Sequence, residues 1–313
     1  MKHSKQKKLE AAIRKNLPLS LRKALYFFLN FNTEYPNWRL KRKILAYLRE
    51  NELFSQKCDC EKNEIYLFLK NNGLSFFPYE FIKNYNQNSI SVYFDIDCDM
   101  YYVLHENKRL YFKTNWTEEQ VKEYYNSLLI EQDIDSPHRY EYGTFRVNND
   151  IVADIGAAEG IFALSVVERA KKIYLFEADA SWIPVLEKTF EPWSNKVVIV
   201  NKFVSNTNTD NTICLDEYFS VEKVSFLKAD VEGSEIQLLQ GVQKLLSQGG
   251  LKLAICTYHG QNDSELINDF LIQKGYLTEF SKGYMLFLAD KNLSAPWLRK
   301  ALIRGTSRFI QTK

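Results

Sequence analysis

The second half of the sequence predicts a doubly wound α/β domain, and three observations point to it. Short apolar runs begin at Ile151, Ile173, Val197, Val224 and Leu251, each the length of a buried strand. Stretches of helical periodicity follow most of these runs. The first run ends in a glycine-containing turn that opens a helix. Strands that alternate with helices pair in parallel through right-handed crossovers, so we expect a mostly parallel sheet.

The predicted catalytic domain spans residues 146–290. Its strands are expected at 151–155, 173–176, 197–204, 224–227, 251–258, 276–280 and 284–289, and its helices at 160–170, 182–190, 235–246 and 264–274. Only Ser281-Lys282-Gly283 separates the last two strands, which is too short for a crossover. They should form a hairpin, so that one strand of a seven-stranded sheet runs antiparallel.

The rest of the chain is predicted as an N-terminal α+β accessory region and a C-terminal helix. Residues 1–90 are basic and mainly helical, because apolar residues recur at three- and four-residue spacing. Residues 91–145 contain short strands and then a helix that begins after Thr117, whose hydroxyl caps Gln120, and runs to about Glu131. Residues 291–313 are predicted as a basic helix.

Composition narrows the functional classes. The net charge of +2 provides no general field that would attract nucleic acid. Five cysteines, odd in number and scattered, fit a reducing compartment, and Cys58-Asp59-Cys60 lacks the spacing and further ligands of a zinc site. No segment reaches the ~20 apolar residues that cross a bilayer, and the basic start lacks a signal-like apolar run. We therefore expect a cytoplasmic protein.

Basic residues concentrate at both ends, which leaves three interpretations open. Residues 1–46 hold twelve Lys or Arg and two acidic residues, and Arg299 and Arg304 lie in a similar stretch near the C-terminus. A solvated helical face is favoured. Peripheral contact with an anionic membrane, through an interfacial helix around Trp297, comes second. Nucleic-acid binding comes last, because the basic residues lack interleaved RNA-binding signatures.

The turn after the first strand suggests which ligand the domain binds. It reads Asp154-Ile155-Gly156-Ala157-Ala158-Glu159-Gly160, and ligands of doubly wound sheets lie beyond the carboxyl ends of the strands. A dinucleotide site would need GxGxxG to seat a pyrophosphate on a helix N-terminus. Here Asp154 and Glu159 flank the two glycines and would repel a pyrophosphate. The same acids suit the ammonium and sulfonium of S-adenosylmethionine.

Glu177 follows the second predicted strand and strengthens this interpretation. A carboxylate at that point can accept hydrogen bonds from both hydroxyls of a ribose. An ordinary tight loop is the alternative for the glycine turn taken alone. The predicted donor-binding residues are Asp154, Gly156, Ala157, Glu159, Gly160, Glu177 and Asp230.

The turn resembles motif I of the Rossmann-like methyltransferases, and a second stretch makes the resemblance more specific. Lys228-Ala229-Asp230-Val231-Glu232-Gly233-Ser234-Glu235 resembles the K-x-D-x-E-G-x-E signature of the FkbM methyltransferase family. Leu215-Asp216 and the strand end Thr257-Tyr258-His259 are also similar to that family. The resemblance covers about residues 146–290. It implies the strand order 3-2-1-4-5-7-6 and S-adenosylmethionine as methyl donor.

The implied strand order also suggests which residues carry the chemistry. Asp230 would lie beside the sulfonium and position the donor or the acceptor. His259, at the end of the next strand, is favoured as the base of an O-methyl transfer, because a histidine pKa lies near neutrality. A role in bonding a loop carbonyl is its alternative. A divalent cation held by Asp230, Glu232 and His259 is less favoured. His138 either overhangs the site as a lid or, more commonly, packs a connection.

These features predict an S-adenosylmethionine-dependent methyltransferase. Its acceptor is expected to be a hydroxyl of a sugar, glycan or small metabolite, on the basis of family analogy. An RNA methyltransferase is the alternative enzyme. A non-catalytic donor-fold module that assembles with a partner is the alternative without chemistry.

Overall fold

The computed structural model describes residues 31–53 and 60–307, and the chain divides at Leu74 into two compact units. This division replaces the boundary predicted at residue 90, and residues 91–145 belong to the same unit as the sheet. The predictions for residues 1–30, for Cys58 and for the end of the C-terminal helix lie outside the described residues.

The first unit contains two helices in its described part, α1 (Phe31–Leu48) and α2 (Cys60–Asn71), and a short π-helical turn follows α1. Ile44 and Leu48 lie one turn apart on α1 and are buried, which agrees with the predicted helical periodicity. On α2, Ile65 and Leu69 repeat this spacing and are also buried.

A small antiparallel sheet and one helix open the second unit. The elements are β1 (Tyr93–Asp95), β2 (Met100–His105), β3 (Lys108–Tyr111) and α3 (Glu118–Glu131). Thr117 Oγ1 accepts from the Gln120 N–H at 3.3 Å, and Gln120 Oε1 accepts from the Thr117 N–H at 2.9 Å. This confirms the predicted capping box, which sets where α3 begins and therefore which side chains it turns toward the central sheet.

Seven strands of the described residues form that central sheet. They are β4 (Ile151–Ile155), β5 (Lys172–Phe176), β6 (Val197–Val200), β9 (Phe226–Ala229), β10 (Lys252–Cys256), β11 (Tyr276–Phe280) and β12 (Leu302–Ser307). Two short strands, β7 (Phe203–Val204) and β8 (Thr212–Ile213), pair with each other outside this sheet. The sheet order is β6-β5-β4-β9-β10-β12-β11, with β12 antiparallel to both neighbours. Counted along the sheet, this is 3-2-1-4-5-7-6, so the predicted fold class is confirmed.

Six helices cross over between these strands or flank them in the described chain. They are α4 (Ile161–Val166), α5 (Ile183–Phe190), α6 (Leu215–Tyr218), α7 (Glu235–Gln240), α8 (Gln243–Ser247) and α9 (Asp263–Gln273). The helix predicted over 235–246 is broken into α7 and α8 at Gly241. The carbonyl of Gly241 accepts from the N–H of Asp216 at 3.1 Å, outside the helix. No helix among the described residues combines the length and apolarity that crossing a membrane requires.

The seventh strand lies in a different segment from the one predicted. Residues 284–289 form only an isolated bridge, between Met285 and Arg299, and β12 at Leu302–Ser307 takes the place between β10 and β11. The predicted hairpin through 281–283 is therefore wrong, and so is the predicted C-terminal helix over the described residues up to 307.

Two arginines of residues 291–307, Arg299 and Arg304, are buried and donate to loop carbonyls. The Arg304 guanidinium donates to the backbone carbonyls of Arg139 and Tyr140, and the Arg299 guanidinium to those of Tyr258 and His259. Buried carbonyls of loops need such partners, and two arginines provide them. The interfacial helix predicted around Trp297 is therefore absent from residues 291–307.

Candidate active site

A cavity of about 500 Å³ opens beyond the carboxyl ends of β4, β5 and β9. This is the edge of a doubly wound sheet where ligands bind. Six carboxylates and two lysines line it: Glu131, Glu159, Glu177, Asp179, Asp230, Glu232, Lys202 and Lys228. The cavity therefore carries an excess of negative charge and attracts cations.

The predicted donor turn forms one wall of this cavity. The N–H groups of Gly156 and Ala157 both donate to the carbonyl of Phe176 at the end of β5, at 2.9 and 3.1 Å. Gly156 has a φ of +71°, and a Cβ there would lie 1.9 Å from the carbonyl oxygen of Asp230. Gly160 has a φ of +87° and faces α5 closely. At Gly156, only glycine allows both the positive φ and the close approach to the carbonyl of Asp230.

Glu177 holds the turn from the end of β5. Its Oε2 accepts from the N–H of Ala158 at 2.8 Å, and its Oε1 accepts from the N–H of Asp179 at 2.7 Å. A carboxylate offers about four lone-pair sites, so both oxygens can accept again. The side chain lines the cavity, in the position predicted for a ribose partner.

Asp154 is not among the cavity-lining residues, although it was predicted to contact the donor. Its side chain is fully buried, and its Oδ1 lies 3.0 Å from Nζ of Lys228. Lys228 donates in turn to the carbonyl of Gly156 at 2.6 Å. Burial alone would lower the pKa of Lys228, but the charges of Asp154 and Asp230 outweigh it and raise this pKa. Asp154 thus acts on the glycine turn through Lys228.

Glu159 faces the cavity from the other end of the turn. The Tyr124 hydroxyl donates to its Oε2 at 2.8 Å, and the N–H of Ile161 donates to its Oε1 at 3.3 Å. Burial raises the pKa of Glu159. Two donors therefore hold a largely dehydrated carboxylate beside the predicted donor position.

Asp230 directly follows β9 and accepts more hydrogen bonds from side chains than the other acids of the site. The hydroxyl of Tyr140 donates to Oδ2 and that of Tyr258 to Oδ1, each at 3.1 Å, while Nε2 of His138 lies 3.5 Å from Oδ2. Burial would raise the pKa of Asp230, but the hydrogen bond and charge of His138 and the charge of Lys228 lower it well below its usual range. Asp230 is therefore held ionised and in one orientation.

His259 is oriented by a buried carboxylate, as a general base would be. Its Nδ1 lies 2.8 Å from Oε1 of Glu235, while its Nε2 is 3.5 Å from Oδ1 of Asp230 and 3.6 Å from Oε2 of Glu232. Nε2 is buried and has no hydrogen-bond partner among the described residues. Burial would lower the pKa of His259, but the hydrogen bond to Glu235 and the charge of Asp230 raise it. Of the cation alternative, Asp230 clusters with His259, but the second acid of that cluster is Glu235 and not the predicted Glu232. The cation itself stays a prediction.

A smaller cavity of about 260 Å³ adjoins His259 on the solvent side. Glu232, which also lines the larger cavity, lines it together with Asp263, Asp290 and the ring of Phe287. Glu232 thus borders both cavities, and His259 lies at the smaller one, 3.6 Å from the Glu232 carboxylate.

His138 packs inside the protein and is not a surface lid. Its side chain is 2% exposed and lies against the rings of Phe77, Tyr140 and Tyr258. Its Nε2 is 3.5 Å from Sγ of Cys256. The favoured packing interpretation agrees with this position, and the contact with Asp230 gives the packed ring an electrostatic role as well.

Glu131 is a charged cavity residue that sequence reasoning missed. Glu131, the last residue of α3, lines the large cavity with Tyr124 and Leu128 of the same helix. These three positions lie on one helical face, four and three residues apart. A glutamate that continues an otherwise apolar helical face is the signal that could have found it.

The strand order, the glycine turn and the acidic cavity together define the class of Rossmann-like methyltransferases. Within that class, the methyltransferase FkbM domain matches residues 111–278, more than half of the chain. The chain belongs to the FkbM methyltransferase family. The match begins in β3 and so includes α3 and Glu131, ahead of the region that the sequence motifs cover.

Several solved structures are similar to this chain at low identity. Methyltransferase FkbM from Methylobacillus flagellatus KT is 18% identical, with a TM-score of 0.42 over 60% of this chain and 53% of that chain, so the match spans about half of that protein. N-methyltransferase NodS from Bradyrhizobium japonicum WM9, in complex with S-adenosylhomocysteine, is 12% identical, with a TM-score of 0.37 over 52% of this chain and 80% of that one. An rRNA methylase from Streptococcus thermophilus is 16% identical, with a TM-score of 0.37 over 51% and 89%. No curated protein is significantly similar to this chain.

Proposed function

We propose that this methyltransferase takes its methyl group from S-adenosylmethionine and transfers it to a hydroxyl of a sugar, glycan or similar small metabolite. The observation that carries the proposal is the acidic cavity at the glycine turn, where six carboxylates face two lysines. A sulfonium and an ammonium are stabilised in such a field, whereas a pyrophosphate is repelled. Membership of the FkbM family supports the same donor.

The residues around the turn fit the parts of this donor. The lone pairs that remain on Glu177 can accept from ribose hydroxyls, and Gly156 leaves the backbone open to close approach. When bound, the donor supplies an electrophilic methyl group at its sulfonium. Asp230, held by two tyrosine hydroxyls at the end of β9, lies at the cavity wall where the donor and the acceptor would meet.

Glu177→Ala tests the donor assignment. We expect the Kd for S-adenosylhomocysteine to rise by about 10–100-fold, because a charged hydrogen bond contributes about 1.5–3 kcal/mol. Isothermal titration calorimetry measures this, with thermal melting to show that the variant folds. Glu187→Ala, at an exposed position on α5, is the matched control and should bind like the wild type. If the Glu177 variant and the wild type bind S-adenosylhomocysteine equally well, the ribose assignment is wrong. If the wild type binds NAD more tightly than S-adenosylhomocysteine, the proposed donor is wrong.

The small cavity supports a hydroxyl-rich acceptor. Its carboxylates, Asp263 and Asp290, can accept hydrogen bonds from hydroxyls, and the Phe287 ring offers an apolar face for stacking. It is lined by His259 and shares Glu232 with the donor cavity. An acceptor held there would place a hydroxyl between the two cavities, as in-line methyl transfer requires.

His259 is the proposed base for that hydroxyl. Glu235 accepts the Nδ1 proton, so the lone pair of neutral His259 is on Nε2. Nε2 would then accept the proton of the acceptor hydroxyl, and the Glu235 carboxylate would stabilise the resulting imidazolium. Asp230, ionised 3.5 Å away, stabilises the same charge.

His259→Gln is expected to lower kcat by about 100-fold, at the lower end of general-base effects. The wild-type rate should fall as the pH drops through a pKa above the usual 6.5, because His259 must be neutral to accept a proton and its pKa is raised. The variant should lose this limb of the profile. Formation of S-adenosylhomocysteine, followed across a panel of monosaccharides and nucleotide sugars, identifies the acceptor and then gives the rates.

His105→Gln is the matched control, since His105 bonds Tyr125 and Ser165 away from the cavity. It should keep the wild-type pH profile. Loss of activity on dialysis against a chelator, with recovery in magnesium, would instead favour the cation held by Asp230, Glu232 and His259. Transfer of tritiated methyl groups to bulk RNA, with none to sugars, would overturn the proposed acceptor class.

A further inference from the structure

Glu131 occupies a fixed position at the cavity wall that the reaction as described does not use. It ends α3, whose start is set by the capping box at Thr117 and Gln120. Tyr124, two turns earlier on the same face, donates to Glu159 and so ties α3 to the glycine turn. The C-terminal end of α3 therefore brings Glu131 to the wall of the donor cavity.

The surroundings of Glu131 suit a cation that the protein itself does not provide. Within residues 31–53 and 60–307, its carboxylate makes no hydrogen bond or ion pair. The charged groups that face it are Asp230, Glu159, His138 and Lys228. Nε2 of His138 lies 3.5 Å from Oδ2 of Asp230, and Nζ of Lys228 lies 3.0 Å from Oδ1 of Asp154, so both groups already face other acids.

We propose that Glu131 binds the α-ammonium at the amino-acid end of the methyl donor. This inference rests on the proposed donor. Glu177 suits the ribose at the end of β5, and Asp230 lies where the sulfonium would face the acceptor. Glu131 lines the same cavity as Asp230 and Glu159 and interacts electrostatically with both, so a cationic amino-acid end would be stabilised there. Ion pairing with an ammonium would satisfy the carboxylate that the protein leaves without a partner.

Binding of this ammonium should be linked to pH. Burial, with Asp230 and Glu159 adding to it and His138 opposing it, raises the pKa of Glu131 to about 7. An ammonium favours the ionised carboxylate and lowers that pKa in the complex. Affinity should therefore increase as pH rises through 7. Between pH 6 and 8 the gain should be about tenfold, one protonation being coupled to binding.

Two donor analogues that differ only in the amino-acid part test the assignment. S-adenosylhomocysteine carries the ammonium, and 5′-methylthioadenosine lacks the whole amino-acid end. Calorimetry at pH 8 with Glu131→Gln should give a Kd for S-adenosylhomocysteine about 10–100-fold weaker than wild type, and an unchanged Kd for 5′-methylthioadenosine. The tenfold pH dependence should also disappear in the variant. Glu123→Gln, an exposed glutamate on the same helix, is the matched control.

Each other outcome is decisive. If the Glu131 variant binds S-adenosylhomocysteine as tightly as wild type, Glu131 does not receive the ammonium. If it weakens both analogues equally, Glu131 shapes the nucleoside site and the inference is overturned. If wild type binds neither analogue, the proposed donor fails first and the role of Glu131 fails with it.

Discussion

Gly156→Ala is expected to abolish detectable donor binding and to lower the free energy of unfolding by about 4 kcal/mol. Roughly 1–3 kcal/mol comes from backbone strain at a positive φ, and a similar amount from overpacking. The new Cβ would lie 1.9 Å from the carbonyl oxygen of Asp230, a backbone atom that cannot move without displacing the end of β9. The same displacement would widen the donor cavity at its floor. Urea denaturation and calorimetry with S-adenosylhomocysteine measure the two effects.

Gly143→Ala is the control that separates the effect of backbone strain from that of steric overlap by the new Cβ. Gly143 also has a positive φ, +56°, but a Cβ there would meet no atom within 4 Å. We expect a loss of about 1 kcal/mol and unchanged donor affinity. If both variants lose the same stability and both keep the donor, the contact between the glycine turn and β9 has no special importance.

The glycine turn was predictable because its signature is local. A short apolar strand, a glycine and an acid, and then a helix follow one another within a few residues, so the sequence alone places the turn. The same holds for the capping box at Thr117 and for β11, whose bounds match the prediction. The strand order needed the family resemblance, since pairing between distant strands leaves little local trace.

The last strand was missed because its pattern is not that of an ordinary strand. Leu302–Ser307 contains Arg304, which burial usually excludes, and Gly305, which is uncommon in strand interiors. Arg304 is tolerated because its guanidinium donates to the carbonyls of Arg139 and Tyr140, more than 150 residues earlier in the chain. The hydrophobic periodicity of a segment gives no information about hydrogen-bond partners so far away in the sequence.

The partner of Asp154 was missed for a related reason. Its position in the glycine turn suggested a ligand contact, yet its partner is Lys228 on the adjacent strand, directly across the β4–β9 register. The implied strand order already put these strands side by side. The register between these strands would therefore have been enough to propose the ion pair, while the donor contact of Asp154 stays a prediction.

Lys228→Met is expected to lower the free energy of unfolding by about 3–5 kcal/mol, because it leaves the Asp154 carboxylate buried without a counter-charge. The carbonyl of Gly156 loses its 2.6 Å hydrogen bond at the same time. The double variant Asp154→Leu/Lys228→Met should recover most of the loss, since an apolar pair of similar volume replaces a desolvated ion pair. Lys188→Met, in the exposed pair with Glu191, is the matched control and should change stability little.

The pH dependence of the stability of the Lys228 variant distinguishes a buried charge without a partner from a packing defect. Burial already raises the pKa of Asp154, and removing the lysine raises it further. The folded variant then binds a proton that the unfolded chain releases, so its stability must fall as pH rises through the raised pKa. The variant should therefore be closer to wild type at pH 5 than at pH 8, and the double variant should show no such difference. A loss of stability that is equal at both pH values, and that the second substitution does not relieve, would mean that the lysine stem supports the turn by packing and not by its charge.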